Sequence, residues 1–377
     1  MKWRRFRAIF HKEALHIMRD WRSLMMALAV PLVLLLLFGY ALTLDVDRIL
    51  TVIYDQDQTP QSRELIQRFQ GSRYFQIVPG PANYRTIVKH IDDSSALLGI
   101  VIPNDFARRT ESGQEAKVQL LLDGSDSNTA SIAVGYAEAL ILAYSAELRE
   151  AMLLRRGQGK LKMPVDVRIR VLYNNELKSK NFIVPGLIAV ILMIIAALLT
   201  SLTIAREWEN GTMEQLLSTP VRPTELLLGK LAAYFVLGMA DMVISLIVGV
   251  GIFGVPLRGS TLLLIVTSAL FLFGALCWGI LLSTITRSQL LAYQLSLLSS
   301  FLPAFLLSGF IYSIDNMPFV IQQFTRIVPA RYFVAILQGV FMKGTGLEVL
   351  WMQMLFLVMY GALVFTIAVR KMRQKMA

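Results

Sequence analysis

FIVPGLIAVILMIIAALLTSLTI, residues 182–204, is a stretch of 23 residues without one charged side chain. A helix rises 1.5 Å per residue, so about 20 apolar residues cross the hydrocarbon core with every backbone polar group bonded inside the helix. The stretch therefore predicts a transmembrane helix. Four further runs, 231–253, 261–283, 290–312 and 350–369, meet the same test, as does 23–44, which Pro31 is expected to bend. With 377 residues, 55% of them apolar, the composition is that of a chain crossing the membrane several times rather than of a soluble domain.

The regions between the runs are unequal. Residues 45–181 form a 137-residue insertion, long enough for a core of its own. Strands are predicted at 49–54 (ILTVIY), 97–102 (LLGIVI), 118–122 and 165–172, with helices at 61–70 and 129–154. That pattern predicts a small mixed α/β domain. Residues 2–22 place Trp3, Phe6, Phe10, Ile17 and Trp21 near helical spacing, with Arg4, Arg5, Lys12 and Arg19 mostly on other faces, which predicts an interfacial amphipathic helix. A cleaved signal peptide fits poorly, because the run at 23–44 is too long and lacks a small-residue cleavage site. Residues 313–342, amphipathic and broken by Pro318 and Pro329, predict short re-entrant or surface-lying helices.

Charge orients the chain. Of 37 Lys/Arg and 26 Asp/Glu, residues 45–181 hold 18 and 17, which leaves 19 and 9 around the spans. Excess positive charge beside the membrane is what headgroups and the positive-inside rule require, and it argues against nucleic acid as a partner. Fifteen cations fall on the N-terminal segment, the 205–230 connection, Arg287 and the tail 370–377, against four (Arg258, Arg326, Arg331 and Lys343) on the short opposite connections. Both termini and the 205–230 loop are thus expected in the cytoplasm, and 45–181 outside it.

Several chemistries find no support. A single cysteine, Cys277, gives no disulfide framework, and His11, His16 and His90 lack metal-ligand spacing. No catalytic constellation stands out in 45–181, where Asp55, Asp57, Asp123 and Asp126 fit turn chemistry. No G-x-x-x-x-G-K-[ST] loop occurs; RRGQGKLK (155–162) has the wrong spacing and VQLLLDG (118–124) reads as a strand and turn. Any nucleotide-driven work would then have to come from another polypeptide. NGT (210–212) matches a glycosylation acceptor but falls on the cytoplasmic side.

That leaves AREWENGTMEQLLSTP, residues 205–220, a charged segment directly after the 182–204 span. Thr212 is expected to N-cap a short helix, Gln215 to complete a capping box, Met213, Leu216 and Leu217 to share a face, Pro220 to stop the helix and Gly211 to turn the chain. An anionic leaflet would repel Glu207, Glu209 and Glu214, so protein docking accounts for this segment better than a membrane-surface helix does. Inside the spans, Asp241 is a candidate to bind a proton, pair with a neighbour or line a substrate path. Gln294, Ser296, Ser299 and Ser300 give the fifth span a polar side for helix packing, a dimer partner or a translocation route, and Pro303 is expected to kink that span.

REWENGTMEQLLSTP (206–220) resembles the loop of ABC-2 type transporter permeases, and LPAFLLSGFIYSIDNMP (302–318) with VPARYF (328–333) resembles their fifth-span and outer-loop signature. FGYAL (38–42), YDQDQTPQS (54–62) and LLDGSDSNTA (121–130) extend the likeness over nearly the whole chain, and it is nearest in kind to the multidrug-type permeases of bacterial envelope exporters. Ser313 departs from the proline expected in many relatives, which bears only on the local turn.

The resemblance implies a multi-pass protein of the bacterial inner membrane, with 182–377 as the ABC-2 type transmembrane domain. It implies a separate ABC ATPase subunit, carrying ATP and Mg, docked on Arg206, Glu207, Glu209, Gly211, Thr212, Met213, Glu214, Gln215, Leu216, Leu217 and Pro220, while this chain binds no cofactor and has no ATPase site. It further implies a second permease chain, identical or homologous, and an export route bordered by spans one, two and five. Asp241, Gln294, Ser299, Ser300 and Pro303 are candidates for the route, and Ser308, Gly309, Asp315, Asn316, Pro318, Pro329 and Arg331 for an outer gate. The expected cargo is hydrophobic or amphipathic, drug-like or lipid-like; the outside domain is expected to guide release or to meet a periplasmic adaptor. Two other readings remain, an ion-coupled secondary transporter using Asp241, and a membrane-anchored envelope protein acting through 45–181.

Overall fold

The computed structural model describes residues 2–42, 48–79, 83–155, 173 and 178–376. It divides into two compact units, residues 1–43 with 171–377, and residues 44–170.

The larger unit is helical. Its elements are α1 (Trp3–Arg19), α2 (Trp21–Ala41), and then, after the second unit, α7 (Lys180–Glu209), α8 (Thr212–Leu217), α9 (Pro223–Gly251), α10 (Thr261–Ile285), α11 (Gln289–Leu306), α12 (Phe319–Thr325), α13 (Pro329–Gln338) and α14 (Leu347–Met376). A helix that is apolar all round belongs out of water, in a protein core or in lipid. α7, which carries the opening stretch, obeys this: α2, α9, α10, α11 and α13 all pack on it, and it is buried almost without a break from Ile183 to Ala197.

Close approach to α7 needs small residues and polar contacts, as expected where lipid supplies no hydrophobic drive between helices. A Cβ on Gly279 of α10 would stand 2.3 Å from the Ala197 carbonyl. Thr200 Oγ1 donates to the Leu276 carbonyl at 2.9 Å, and Ser283 Oγ accepts from the Ile204 and Ala205 amides at 3.0 and 2.9 Å.

The smaller unit holds β1 (Ile49–Asp55), α3 (Pro60–Gln70), β2 (Phe75–Ile77), α4 (Tyr84–Asp92), β3 (Leu98–Ile102), α5 (Phe106–Ser112), β4 (Gln119–Leu122) and α6 (Ser127–Arg155). The sheet order is β2-β1-β3-β4, parallel except for the antiparallel β3–β4 pair. Leu65 and Phe69 of α3 and Ala133, Ala137 and Tyr144 of α6 share one core with Ile49, Ile53, Leu98 and Ile100. Ile87 of α4 packs with Val52 and Val101 in another. The runs 49–54 and 97–102 form strands because burial from both sides rewards continuous apolar sequence. β2, α4 and α5 were not anticipated, and the strand expected at 165–172 lies outside the described residues.

Among the described residues, six helices are long and apolar enough to cross a membrane: α6, α7, α9, α10, α11 and α14. This set differs from the expected one. α6 qualifies by composition, yet it buries Ala133, Ala137 and Tyr144 against the α/β sheet. The run expected at 23–44 supplies α2, whose apolar part is Ala27–Ala41; its 21 residues nonetheless reach about 31 Å, and it packs on α7 and α9 with Leu35 fully buried. The helix expected over 290–312 stops at Leu306, and Gly309, at φ +80°, turns the chain so that buried Phe310 lies against Gly186. The segment 313–342 is a 3-10 turn, α12, α13 and a π-helical turn, with Pro318 capping α12 and Pro329 opening α13.

Candidate functional site

The expected docking stretch leads to a cluster of buried charge. α1 carries a single acid, Glu13, which lies with Ile9 on the buried side of that helix. α9 opens with Pro223 at its first turn and, two turns on, carries Gly229 and Lys230. A Cβ at Gly229 would stand 2.7 Å from Ile9 Cγ2, so α1 lies directly against α9 there.

Beside that contact Lys230, 2% exposed, places its ammonium 3.0 Å from Glu13 Oε2 and 3.0 Å from Glu207 Oε1. Lys12 Nζ lies 3.3 Å from Glu207 Oε1, and the Tyr234 hydroxyl donates to Glu13 Oε1 at 3.3 Å. A second set holds the start of α1: Glu225 accepts from the Lys2 and Arg222 amides at 2.7 and 3.2 Å, and the Arg5 guanidinium donates to the Pro220 carbonyl. A buried charge is tolerated only when paired, and the pairing here ties three chain segments together.

The candidates of 205–220 thus separate by role. Glu207 and Glu209 were expected to face a partner; Glu207 is buried, whereas Glu209 is exposed and also bonds within the chain. Glu207 is buried beside Lys230, and Glu209 accepts from the backbone and side-chain amides of Gln289 at 2.7 and 2.6 Å. Arg206 donates to Gln289 Oε1 at 3.3 Å and lies 3.4 Å from His16. The capping box is absent: α8 is capped by Gly211, at φ +68°, and Thr212 Oγ1 donates to the Glu207 carbonyl instead. Met213 is fully buried, Leu216 packs on the bundle core, and Glu214 and Gln215 are exposed. The side chain of Leu217 lies outside the described residues.

The intramembrane candidates do not converge. Asp241 is 1% exposed and neither carboxylate oxygen has a hydrogen-bond partner. The expected polar side of α11 is divided: Ser296 and Ser300 are buried with unpartnered hydroxyls, Ser299 accepts from Trp278 Nε1 at 3.0 Å, and Gln294 is exposed, because it lies half a turn away from Ser296. Pro303 sits inside α11, its carbonyl accepting from the Leu307 amide.

Of the expected gate residues, Ser308 is buried, Asp315 and Asn316 are exposed on the 3-10 turn, and Arg331 of α13 donates to Thr325 Oγ1. Among the described residues no three His, Cys, Asp or Glu side chains come together as metal ligands.

Sequence reasoning missed Glu13, Lys230 and Tyr234 as partners. The one signal available was a lone acid on an otherwise basic helix.

A membrane bundle whose helices close around α7, with a charged loop and short helix after it, is matched by one family profile. The profile described as "ABC-2 family transporter protein" matches residues 21–370, and the chain belongs to that family. It is 41% identical over 361 residues to the "Probable multidrug ABC transporter permease YbhS" of Escherichia coli (strain K12), covering 95% of this chain and 94% of that one. It is also similar to "Probable multidrug ABC transporter permease YbhR" of the same strain, 32% identical with 91% of each chain covered. "Inner membrane transport permease YhhJ" of that strain is 29% identical, covering 85% of this chain and 84% of its own.

Proposed function

We propose that this chain is the permease subunit of an ATP-binding cassette exporter, moving hydrophobic or amphipathic molecules, drug-like or lipid-like, across a bacterial inner membrane. The observation that carries the reading is α8. It is a short helix with Met213 buried in the bundle and Glu214 and Gln215 turned outward, at the end of a helix whose last turn is bound to Lys230 and Gln289. A rigid protrusion of this kind transmits movement from whatever grips it. Work enters here from a separate ATPase subunit that holds Mg and ATP, with a second permease chain, identical or homologous, completing the route. In this reading both termini and residues 205–230 are cytoplasmic, the α/β unit is extracytoplasmic, and a periplasmic adaptor is its natural partner.

The test is copurification of the ATPase from mild detergent with Glu214→Lys and Gln215→Lys. Leu216 is a poor probe, since it packs on the core. Loss of the ATPase from a folded permease is expected; undiminished association with both variants would remove α8 as the docking element.

One observation favours a second reading: Asp241 is buried inside α9 without a partner, as an ion-coupling carboxylate would be. Vesicles holding this chain alone decide it. Transport on a proton or sodium gradient would displace the ATP-driven account.

A further inference from the structure

Beside Lys230 lies a cavity of about 330 Å³ bounded by parts of α1, α2, α7 and α9. Its walls differ. Leu198, Leu199, Leu202 and Leu237 make an apolar side, and Glu13, Glu207 and Lys230 a charged one. Exposed Lys12, His16 and Asn210 also border it, so it lies within reach of the surface.

The cations on the charged side are engaged. Lys230 holds Glu13 Oε2 and Glu207 Oε1, Lys12 holds Glu207 Oε1, and Arg206 donates to Gln289. Asp20, which lines the cavity as well, has contacts of its own. Glu207 is 8% exposed, and among the described lining residues its Oε2 is the buried side-chain atom left without a hydrogen-bond partner. A buried carboxylate oxygen without a donor is costly, and this one belongs to a buried set of two carboxylates and one ammonium. With Lys12 also on Glu207, the two carboxylates are matched by two ammonium groups, and what the site lacks is a donor for Oε2.

We propose that this cavity binds the protonated amine of an amphiphile, its N–H donating to Glu207 Oε2 and its aliphatic body lying along Leu198, Leu199, Leu202 and Leu237. The inference narrows the cargo of the proposed exporter to cationic amphiphiles that carry an N–H; binding itself stands apart from that reading, and only the transport of the bound amine rests on it. A trimethylammonium head has the same charge but no N–H, and leaves Oε2 unbonded. Two sources supply the chemistry: a free lipophilic amine, and the head of an ethanolamine phospholipid.

The experiment uses the full chain, without ATPase, in nanodiscs of phosphatidylcholine, whose head has no N–H. Dodecylammonium and dodecyltrimethylammonium are titrated against these and against empty discs. Binding of dodecylammonium about tenfold tighter is expected, the size of one charge-assisted hydrogen bond. Glu207→Gln leaves Oε1 for Lys230 and replaces the free acceptor by a donor, so the preference disappears. Leu202→Trp fills the apolar side without touching the charges and weakens binding of dodecylammonium, which keeps the test available if the first variant does not fold.

In a second arm, lipid retained by the chain from an equimolar mixture of phosphatidylethanolamine and phosphatidylcholine is weighed by mass spectrometry. Enrichment of the ethanolamine lipid that Glu207→Gln abolishes assigns the site to a lipid head; an amine preference without enrichment assigns it to a free amine. Equal affinity for the two titrants, a preference that survives Glu207→Gln, or dodecylammonium binding left unchanged by Leu202→Trp overturns the proposal. Because no ATPase is present, failure of α8 docking leaves this result standing, and failure here leaves docking untouched.

Discussion

Lys230 and Asp241 lie eleven residues apart on α9, three turns and about 16 Å, on nearly the same face. Both are almost wholly buried, at 2% and 1% exposure. Lys230 has two carboxylates at 3.0 Å, whereas Asp241 has no partner for either oxygen. The difference teaches that burial alone does not say what an ionisable group does in a bundle. Lys230 is held by elements distant in sequence and acts as a fastener. Asp241 fastens nothing.

Removing the ammonium tests the contrast most severely. Lys230→Met strands Glu13 and Glu207 in the core, and losing one member of a buried pair costs about 3–5 kcal/mol. Thermal unfolding of the purified chain should show a larger fall than any other single substitution in α9, and adding Glu13→Gln should restore part of it. A loss no larger than that of a surface substitution would mean that the triad is not a fastener.

Gly229→Val strikes the same junction without altering charge. Its branched side chain meets Ile9, and overpacking of this kind costs about 1–3 kcal/mol. Faster proteolysis within α1, with the rest of the bundle intact, is the expected signature.

Asp241→Asn should matter least for stability, within about 1 kcal/mol, since no hydrogen bond is lost and the amide avoids burying a charge. A large fall in melting temperature would reveal a partner and erase the distinction between the two sites. Intact stability together with lost transport would place Asp241 in the route.

Much of the architecture was legible because hydropathy is a local property. The run 182–204 marked α7, and continuous apolar segments marked β1 and β3. Short elements were not legible: β2 has three residues, too few for a period to register. α6 and α2 show the limit of composition: apolar content qualifies α6 as a span and shortens α2, while α6 packs on the α/β sheet and α2 on α7 and α9. Around the site, the turn at Gly211 and the short helix before Pro220 were expected, but the cap was misplaced by one residue. Thr212 is a good capping residue in isolation, yet its hydroxyl is taken by the Glu207 carbonyl once Gly211 adopts a left-handed conformation.

By itself the sequence determined the helical membrane fold, the presence of an inserted α/β unit and the family, because span length, apolar runs and motif spelling are written in consecutive residues. Only the tertiary structure decided that Glu207 is buried against Lys230, that Glu209 bonds Gln289, and that Glu13 meets Lys230 across 217 positions. An ion pair depends on distances of a few ångströms, and for residues so far apart those distances are set by how helices pack, which no local pattern encodes.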